Sequence, residues 1–216
     1  MAFTKDKIPK ILNILKKEYT GFTMLSSFTN KTAFQILIAT ALSARTKDST
    51  TIKVVEILFK KYPNVYSLSK ANIKNVEKII KQTGFYKIKA KRIIDISNYL
   101  IQNYKGIVPK TIDELIKLPG VGRKTAGCVL VYAFNIDAIP VDTHVHRISN
   151  RIGIVKTENP ENTEIQLTKI IPKKYWKILN EVLVLHGQNT CFPVSPYCTK
   201  CKIEKYCNKN LIKKFR

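Results

Sequence analysis

The chain has 216 residues, which is enough to bury a hydrophobic core as one domain or as two small ones. Its formal net charge of +23 favours a polyanionic partner such as nucleic acid, although a lysine-biased genome would also raise this charge without selection for binding. No apolar run of about 18 residues and no apolar signal core near the first residue occur, so no membrane span is predicted and a cytoplasmic protein is expected.

Apolar residues recur at helical spacing almost throughout the chain, and no stretch alternates convincingly as a strand would. The sequence therefore predicts an all-α protein. Helix ends are indicated by Gly21, Pro63 and Gly84, the last as a C-terminal cap, and Asp48 is expected to cap a helix start. Apart from a helical hairpin, helices are predicted near residues 8–19, 34–42, 48–62, 73–80, 90–101, 145–152 and 173–186.

The hairpin is predicted around Pro119-Gly120-Val121-Gly122. Thr111 and Glu114 fit a capping box upstream, and apolar residues over 126–134 follow the helical period downstream. A glycine turn of this kind can present backbone N–H groups and the positive end of a helix to an anion such as a phosphate. Taken alone, the motif could equally be an ordinary turn between two helices.

Four cysteines near the end of the chain have the spacing C-x6-C-x2-C-x5-C: Cys191, Cys198, Cys201 and Cys207. A disulfide framework is not expected in a reducing cytosol. Four thiolates in a short loop suit either a structural zinc ion or an iron–sulfur cluster, and the spacing by itself leaves both open. The fifth cysteine, Cys128, is expected to pack in a helix face.

Two strings, LPGVGRKTA at residues 118–126 and VDTH at residues 141–144, resemble the signature of the endonuclease III family of DNA glycosylases. The cysteine spacing and the preceding His186-Gly187 are also similar to that family, and the resemblance covers nearly the whole chain. It implies a helix-hairpin-helix fold with a six-helix barrel domain at 27–134 and an iron–sulfur domain formed by 1–26 and 135–216. It also favours a [4Fe–4S] cluster on the four cysteines.

The same resemblance implies roles for individual residues. Lys124 would be the nucleophile, forming a Schiff base, and Asp142 would accept a proton and stabilise positive charge. The alternatives are a phosphate contact for Lys124 and a helix N-cap for Asp142. A lysine at this position accompanies glycosylase/lyase activity, whereas mismatch-specific relatives carry a hydroxyl residue. The residues expected to contact DNA around the turn and the acid are Gly120, Val121, Gly122, Arg123 and His144.

Two further positions depart from the family pattern. Arg45 stands where the family has glutamine, and Phe85 stands where it has leucine. Both residues could fill the space left by a flipped base, because arginine stacks and donates several hydrogen bonds while an aromatic ring can wedge. Hydrophobic anchoring of a helix junction is the alternative for Phe85. These departures leave the preferred lesion open.

The resemblance thus implies a monomeric base excision repair enzyme acting on double-stranded DNA with damaged bases or abasic sites. We expect a DNA glycosylase/AP lyase that excises oxidised pyrimidines and cleaves 3′ of the abasic site by β-elimination. The alternatives are a mismatch or uracil glycosylase on the same scaffold and a non-catalytic DNA-binding module.

Overall fold

The computed structural model describes residues 4–19, 28 and 30–216. Within these ranges the chain is helical, with no strand, which confirms the predicted all-α class. The α-helices, labelled α1 to α11, are Lys7–Glu18, Ala33–Ser43, Asp48–Lys61, Val65–Ser69, Ile73–Ile80, Tyr86–Tyr104, Ile112–Leu115, Arg123–Phe134, Thr143–Ile152, Pro160–Ile170 and Trp176–Asn189. Short 3₁₀ helices are Lys173–Tyr175, Cys198–Lys200 and Glu204–Tyr206. None of the described helices is long and apolar enough to cross a membrane.

The chain divides into two compact units. One is Met24–Ile136 and contains α2 to α8, and the other combines Met1–Thr23 with Asp137–Arg216 and contains α1 and α9 to α11. The predicted boundary between residues 26 and 27, and the predicted helix end at Gly21, lie outside the described residues. The assignment of the units as a six-helix barrel and an iron–sulfur domain stays a prediction.

Helix α2 lies at the centre of the unit Met24–Ile136. Its start is fixed by a capping box, in which the Thr32 hydroxyl accepts from the Gln35 N–H at 3.3 Å and the Gln35 side chain accepts from the Thr32 N–H at 3.1 Å. Almost every residue of α2 is buried, and the helix packs against α3, α6 and α8. A helix that is apolar on all sides needs such neighbours, so the prediction of a central helix is confirmed.

The second unit is organised around α1, α9 and α11. Helix α1 buries Ile8, Ile11, Leu12 and Leu15 on one face, as the helical spacing predicts, and packs against α11. Helix α9 packs against both α10 and α11. The resulting core is continuous with the loop that carries the cysteines, because Cys191 belongs to the same buried cluster.

Some helix ends differ from the prediction. Lys47, rather than Asp48, is the N-cap of α3, and no side chain caps that helix. Helix α5 ends at Ile80 with Lys81 as its C-cap, so Gly84 does not cap it. Helices α4 and α10 were not predicted, because α4 is one turn long and α10 buries few side chains: Thr163 and Leu167. Short or weakly amphipathic helices carry little periodic signal.

Shortening a buried side chain of α2 should lower the stability of its unit. Leu37 has no exposed surface, so Leu37→Ala should reduce the free energy of unfolding by about 3 kcal/mol through lost burial and a residual cavity. Ile57 on α3 is 56% exposed, and Ile57→Ala should change it by less than about 0.5 kcal/mol. Urea unfolding of both variants measures the difference, and equal effects would contradict the central place of α2.

Candidate active site and cysteine loop

The predicted glycine turn joins α7 to α8 and forms a helix-hairpin-helix. Gly120 has a φ of 69°, which lies in the left-handed region, and the Val121 N–H donates to the Leu118 carbonyl at 3.0 Å to close the turn. Gly122 then serves as the N-cap of α8 with an extended backbone and no capping side chain. The turn therefore brings main chain, rather than bulky side chains, to the start of α8.

The two glycines of the turn have different surroundings. Gly120 is favoured by its positive φ, and a Cβ there would also displace the side chain of Arg92, a residue of α6. A Cβ at Gly122 would meet nothing within 4 Å. The protein itself therefore does not require a glycine at 122, and the open space there is available to an approaching molecule.

Arg123 and Lys124 form the first turn of α8. Arg123 is exposed, whereas Lys124 is partly buried beside the fully buried helix face that begins at Ala126. This position places the lysine directly next to the glycine turn. Lys124 lies in the unit Met24–Ile136, and Asp142 lies in the other unit.

Asp142 is the N-cap of α9. Its Oδ1 accepts hydrogen bonds from the N–H groups of His144 at 2.9 Å and Val145 at 2.8 Å. Asp142 therefore caps the helix, which was the alternative to a catalytic role for this residue. Both bonds use the same carboxylate oxygen. The segment before it is fixed by Asn180, whose buried side chain donates to the Pro140 carbonyl at 2.6 Å.

His144 lies against α11. The NH2 group of Arg147 lies 3.1 Å from Nδ1 of His144, and a Cβ at Gly187 would overlap with the His144 ring. This close approach explains the glycine after His186, a residue pair that the sequence singled out. The expected DNA contact of His144 stays a prediction.

Two arginines of α9 hold the loop that begins at Cys191. Arg147 donates to the Cys191 carbonyl at 2.8 Å. Arg151, which is only 5% exposed, donates to the carbonyls of Phe192 at 2.6 Å and Pro193 at 2.7 Å and lies 3.4 Å from the Cys191 sulfur. Neither arginine is among the residues predicted from the sequence, although the spacing of four residues between them places both on one face of the helix that follows Asp142.

All four cysteines of the C-terminal loop line one cavity of their unit. Burial raises the pKa of the Cys201 thiol to about 11 and also raises the pKa of Cys198 and Cys207, so a bound cation is needed to keep these groups as thiolates at neutral pH. The Lys209 N–H donates to the Cys207 sulfur at 3.4 Å. In the described ranges, no three His, Cys, Asp or Glu side chains converge as ligands of a single metal ion.

Cys128 is separate from these four. It is 2% exposed and lies on α8 in the unit Met24–Ile136, which agrees with its predicted packing role.

His186 connects the cysteine loop to α1. Its ring is buried, and this burial, together with the positive charge of Arg147, lowers the pKa of His186 to about 4. The imidazole is therefore neutral at neutral pH. Its Nδ1 is 2.9 Å from the Tyr19 hydroxyl, and its Nε2 is 3.7 Å from the Cys201 sulfur. Tyr19, a residue the sequence analysis assigned only to a helix, is in turn 2.7 Å from the Thr190 hydroxyl.

The structure brings Arg45 and Phe85 together, although they are distant in the sequence. The Arg45 guanidinium carbon lies 5.4 Å from the centre of the Phe85 ring, a cation–π contact. Both residues are exposed, and both have a left-handed backbone, with φ of 52° and 58°. They form one surface feature, and their expected insertion into DNA stays a prediction.

The chain is similar to known DNA repair proteins over most of its length. A family model described as HhH-GPD superfamily base excision DNA repair protein matches residues 38–173. Endonuclease III from Thermotoga maritima is 46% identical over 174 residues, which cover 81% of this chain and 82% of that protein.

Solved structures agree with this similarity. A trapped endonuclease III–DNA covalent intermediate has a TM-score of 0.87 and 36% identity, covering 96% of this chain and 97% of that one. A thermostable thymine-DNA glycosylase has a TM-score of 0.82 and 26% identity, covering 95% of this chain and 96% of that one. The fold is therefore similar to that of an endonuclease III and to that of a thymine-DNA glycosylase.

The two turn glycines should respond differently to alanine. Gly120→Ala should lower the free energy of unfolding by about 2 kcal/mol, because alanine disfavours the left-handed backbone and its Cβ displaces Arg92. Gly122→Ala should cost less than about 1 kcal/mol, since only the N-cap preference changes. Thermal or urea unfolding tests this pair, and a larger loss at Gly122 would contradict the geometry of the turn.

Proposed function

The chain belongs to the endonuclease III family within the HhH-GPD superfamily, and we infer from this that it is a DNA glycosylase with AP lyase activity in base excision repair. The observation that carries the residue assignment is the position of Lys124, partly buried on the first turn of α8 beside the glycine turn. A similar protein, trapped on DNA as a covalent intermediate, supports covalent chemistry of this kind.

In the proposed reaction, Nζ of Lys124 attacks C1′ of the damaged nucleotide. The glycosidic bond breaks, and the base leaves with the bonding electron pair and takes up a proton. The sugar ring opens to a Schiff base on the lysine, loss of a C2′ proton expels the 3′ phosphate by β-elimination, and water then releases the lysine. The amine must be neutral to attack, so a proton has to leave Lys124 first.

Asp142 is the proposed proton acceptor. Its Oδ1 caps α9, which fixes the carboxylate, while Oδ2, which does not cap the helix, would take a proton or stabilise positive charge on the sugar. The two roles are compatible, because they use different oxygens. The turn residues 120–123 and His144 would bind the DNA backbone, and Arg45 with Phe85 would fill the space left by the flipped base.

The proposed substrate is double-stranded DNA that contains oxidised pyrimidines or abasic sites, bound by a monomer where the DNA lies, in the cytoplasm. A mismatch glycosylase is the second candidate, because a thymine-DNA glycosylase has a similar fold. Lys124 argues against that candidate, because the resembling mismatch-specific glycosylases carry a hydroxyl residue at this position. A panel of duplexes with oxidised, deaminated and mispaired bases separates the two, and preference for undamaged mispaired bases would favour the second.

We propose that the four cysteines bind a [4Fe–4S] cluster. Four soft thiolate donors around one cavity suit such a group, and the N–H of Lys209 near a cysteine sulfur is typical of its surroundings. A single zinc ion would require sulfurs about 3.8 Å apart around one point, as expected for zinc–sulfur bonds of about 2.3 Å. The cysteine spacing resembles that of the endonuclease III family, and this resemblance favours the cluster over zinc. The bound group would shape a loop whose lysines, Lys200, Lys202 and Lys205, are able to contact phosphates.

Borohydride trapping on abasic duplex DNA tests the nucleophile. The wild type should give a covalent adduct, and Lys124→Gln should give none, because only the amine can form the reducible Schiff base. Asp142→Asn should lower kcat by about 10²–10⁴-fold while keeping the cap of α9, since asparagine also caps helices well. Thermal unfolding of Asp142→Asn is the control. An adduct from Lys124→Gln would overturn the assignment.

Metal analysis tests the cysteine site. Protein purified without oxygen should contain about four iron atoms and a similar amount of acid-labile sulfide per chain. Cys198→Ser should lose most of both, whereas Cys128→Ala, in a different unit, should keep them. Colourless protein with one zinc ion and no sulfide would show that the cysteines bind zinc, which is the alternative that their spacing leaves open.

A further inference from the structure

Lys89 is a buried lysine on α6 that the proposed reaction does not use. It is only 3% exposed, and its Nζ donates to the Leu42 carbonyl at 2.8 Å, the Ala44 carbonyl at 2.7 Å and the Thr46 hydroxyl at 2.8 Å. These three acceptors match the three N–H groups of an ammonium, and none of them is charged. A buried charge with only neutral partners is costly, which calls for a specific reason for this residue.

The three acceptors surround Arg45. Leu42 lies in the last turn of α2 and Ala44 is its C-cap, where backbone carbonyls lack helical partners and the helix dipole is negative. Thr46 follows Arg45 on its other side. The Lys89 ammonium therefore satisfies the end of α2 and fixes the backbone on both sides of Arg45, whose own φ of 52° is left-handed.

The same network reaches Phe85. The Thr46 hydroxyl accepts from the Gly84 N–H at 3.3 Å, and a Cβ at Gly84 would lie 2.9 Å from the Arg45 carbonyl oxygen. Glycine is therefore present at 84 because two backbone segments approach each other there. Phe85 comes next with a φ of 58°, and its carbonyl accepts a hydrogen bond from the backbone N–H of Lys89 at 3.0 Å.

Lys89 thus joins two segments that are separated by about forty residues of sequence and that carry Arg45 and Phe85 side by side. Left-handed backbone at non-glycine residues costs of the order of 1 kcal/mol or more each and persists only where the surroundings impose it. Without the Lys89 ammonium, the end of α2 loses the group that holds this geometry.

We propose that Lys89 is a positioning residue for DNA opening, which fixes Arg45 and Phe85 as one preformed pair that enters the base stack together. This inference rests on the part of the proposed function in which these two side chains fill the space of a flipped base. Lys89 itself is buried and would not contact DNA. A purely structural lysine is the alternative, and it predicts a general loss of stability with no specific effect on base opening.

The test uses Lys124→Gln protein, so that opening is measured without any chemistry. The probe is the fluorescence of 2-aminopurine, placed opposite an abasic-site analogue in duplex DNA, which rises when the base leaves the stack. Lys89→Met, which keeps the aliphatic stem but removes the donors, should reduce the equilibrium for opening about tenfold, within the range of coupling between residues in contact. Affinity for undamaged duplex should change less than about twofold.

A double-mutant cycle separates positioning from structure. Phe85→Ala should itself reduce opening, and adding Lys89→Met to it should cause a smaller further loss than Lys89→Met causes alone, because only Arg45 is then left to be positioned. Lys91→Met is the matched control, since it removes the same charge from the exposed face of α6, where Lys91 pairs with Asp95 at 2.7 Å. It should behave as wild type.

Thr46→Val covers the case in which Lys89→Met does not fold. It removes the hydroxyl shared by Lys89 and Gly84 while keeping shape and charge, and it should give a smaller loss of opening. Unchanged opening in Lys89→Met or Thr46→Val, or fully additive losses in the cycle, would overturn the inference. Failure of the lyase proposal would appear separately, as the absence of a trapped adduct from otherwise wild-type protein.

Discussion

In a helical protein the backbone groups at every helix end need partners, and this constraint explains most of the polar residues that matter here. Asp142 satisfies the start of α9, and Lys89 satisfies the end of α2. Helix α8 has Gly122 as its N-cap, with no capping side chain and with open space where a Cβ would stand. Side chains thus complete the first two ends, whereas the end next to the proposed substrate is built from main chain. A phosphate bound there would complete it.

Helix α9 connects two features that are distant in sequence, Asp142 and the cysteine loop. Its first residue follows Asp142, and its later turns present Arg147 and Arg151 to the carbonyls of the cysteine loop. Because one short helix contacts both, the order of that loop and the orientation of the carboxylate should depend on each other. In the proposed function, the cysteine loop would then affect the reaction through packing alone, without taking part in it.

The sequence was informative where periodicity or a local motif was strong. The apolar run of α2 and the glycine turn predicted both elements correctly, whereas the single turn of α4 left no periodic pattern to detect. Gly84 was wrongly interpreted as a helix cap, because a sequence shows that a glycine is present but not which backbone approaches it. The contact between Arg45 and Phe85, and the buried ammonium beneath it, arise from tertiary structure and leave no local signal.

The large positive charge and the site residues contribute to different steps. Lysines spread over the surface release counterions from any duplex and so give affinity that is independent of sequence and sensitive to salt. Such affinity does not distinguish a damaged base, because every nucleotide carries the same phosphate. Extrusion of a base costs a few kcal/mol of lost stacking and pairing. That cost has to be offset by groups that occupy the emptied space, and they do so best when their geometry is fixed before binding. Arg45 and Phe85 are held in this way by an interior lysine, so selectivity for damage would depend more on the packing beneath them than on the charge around them.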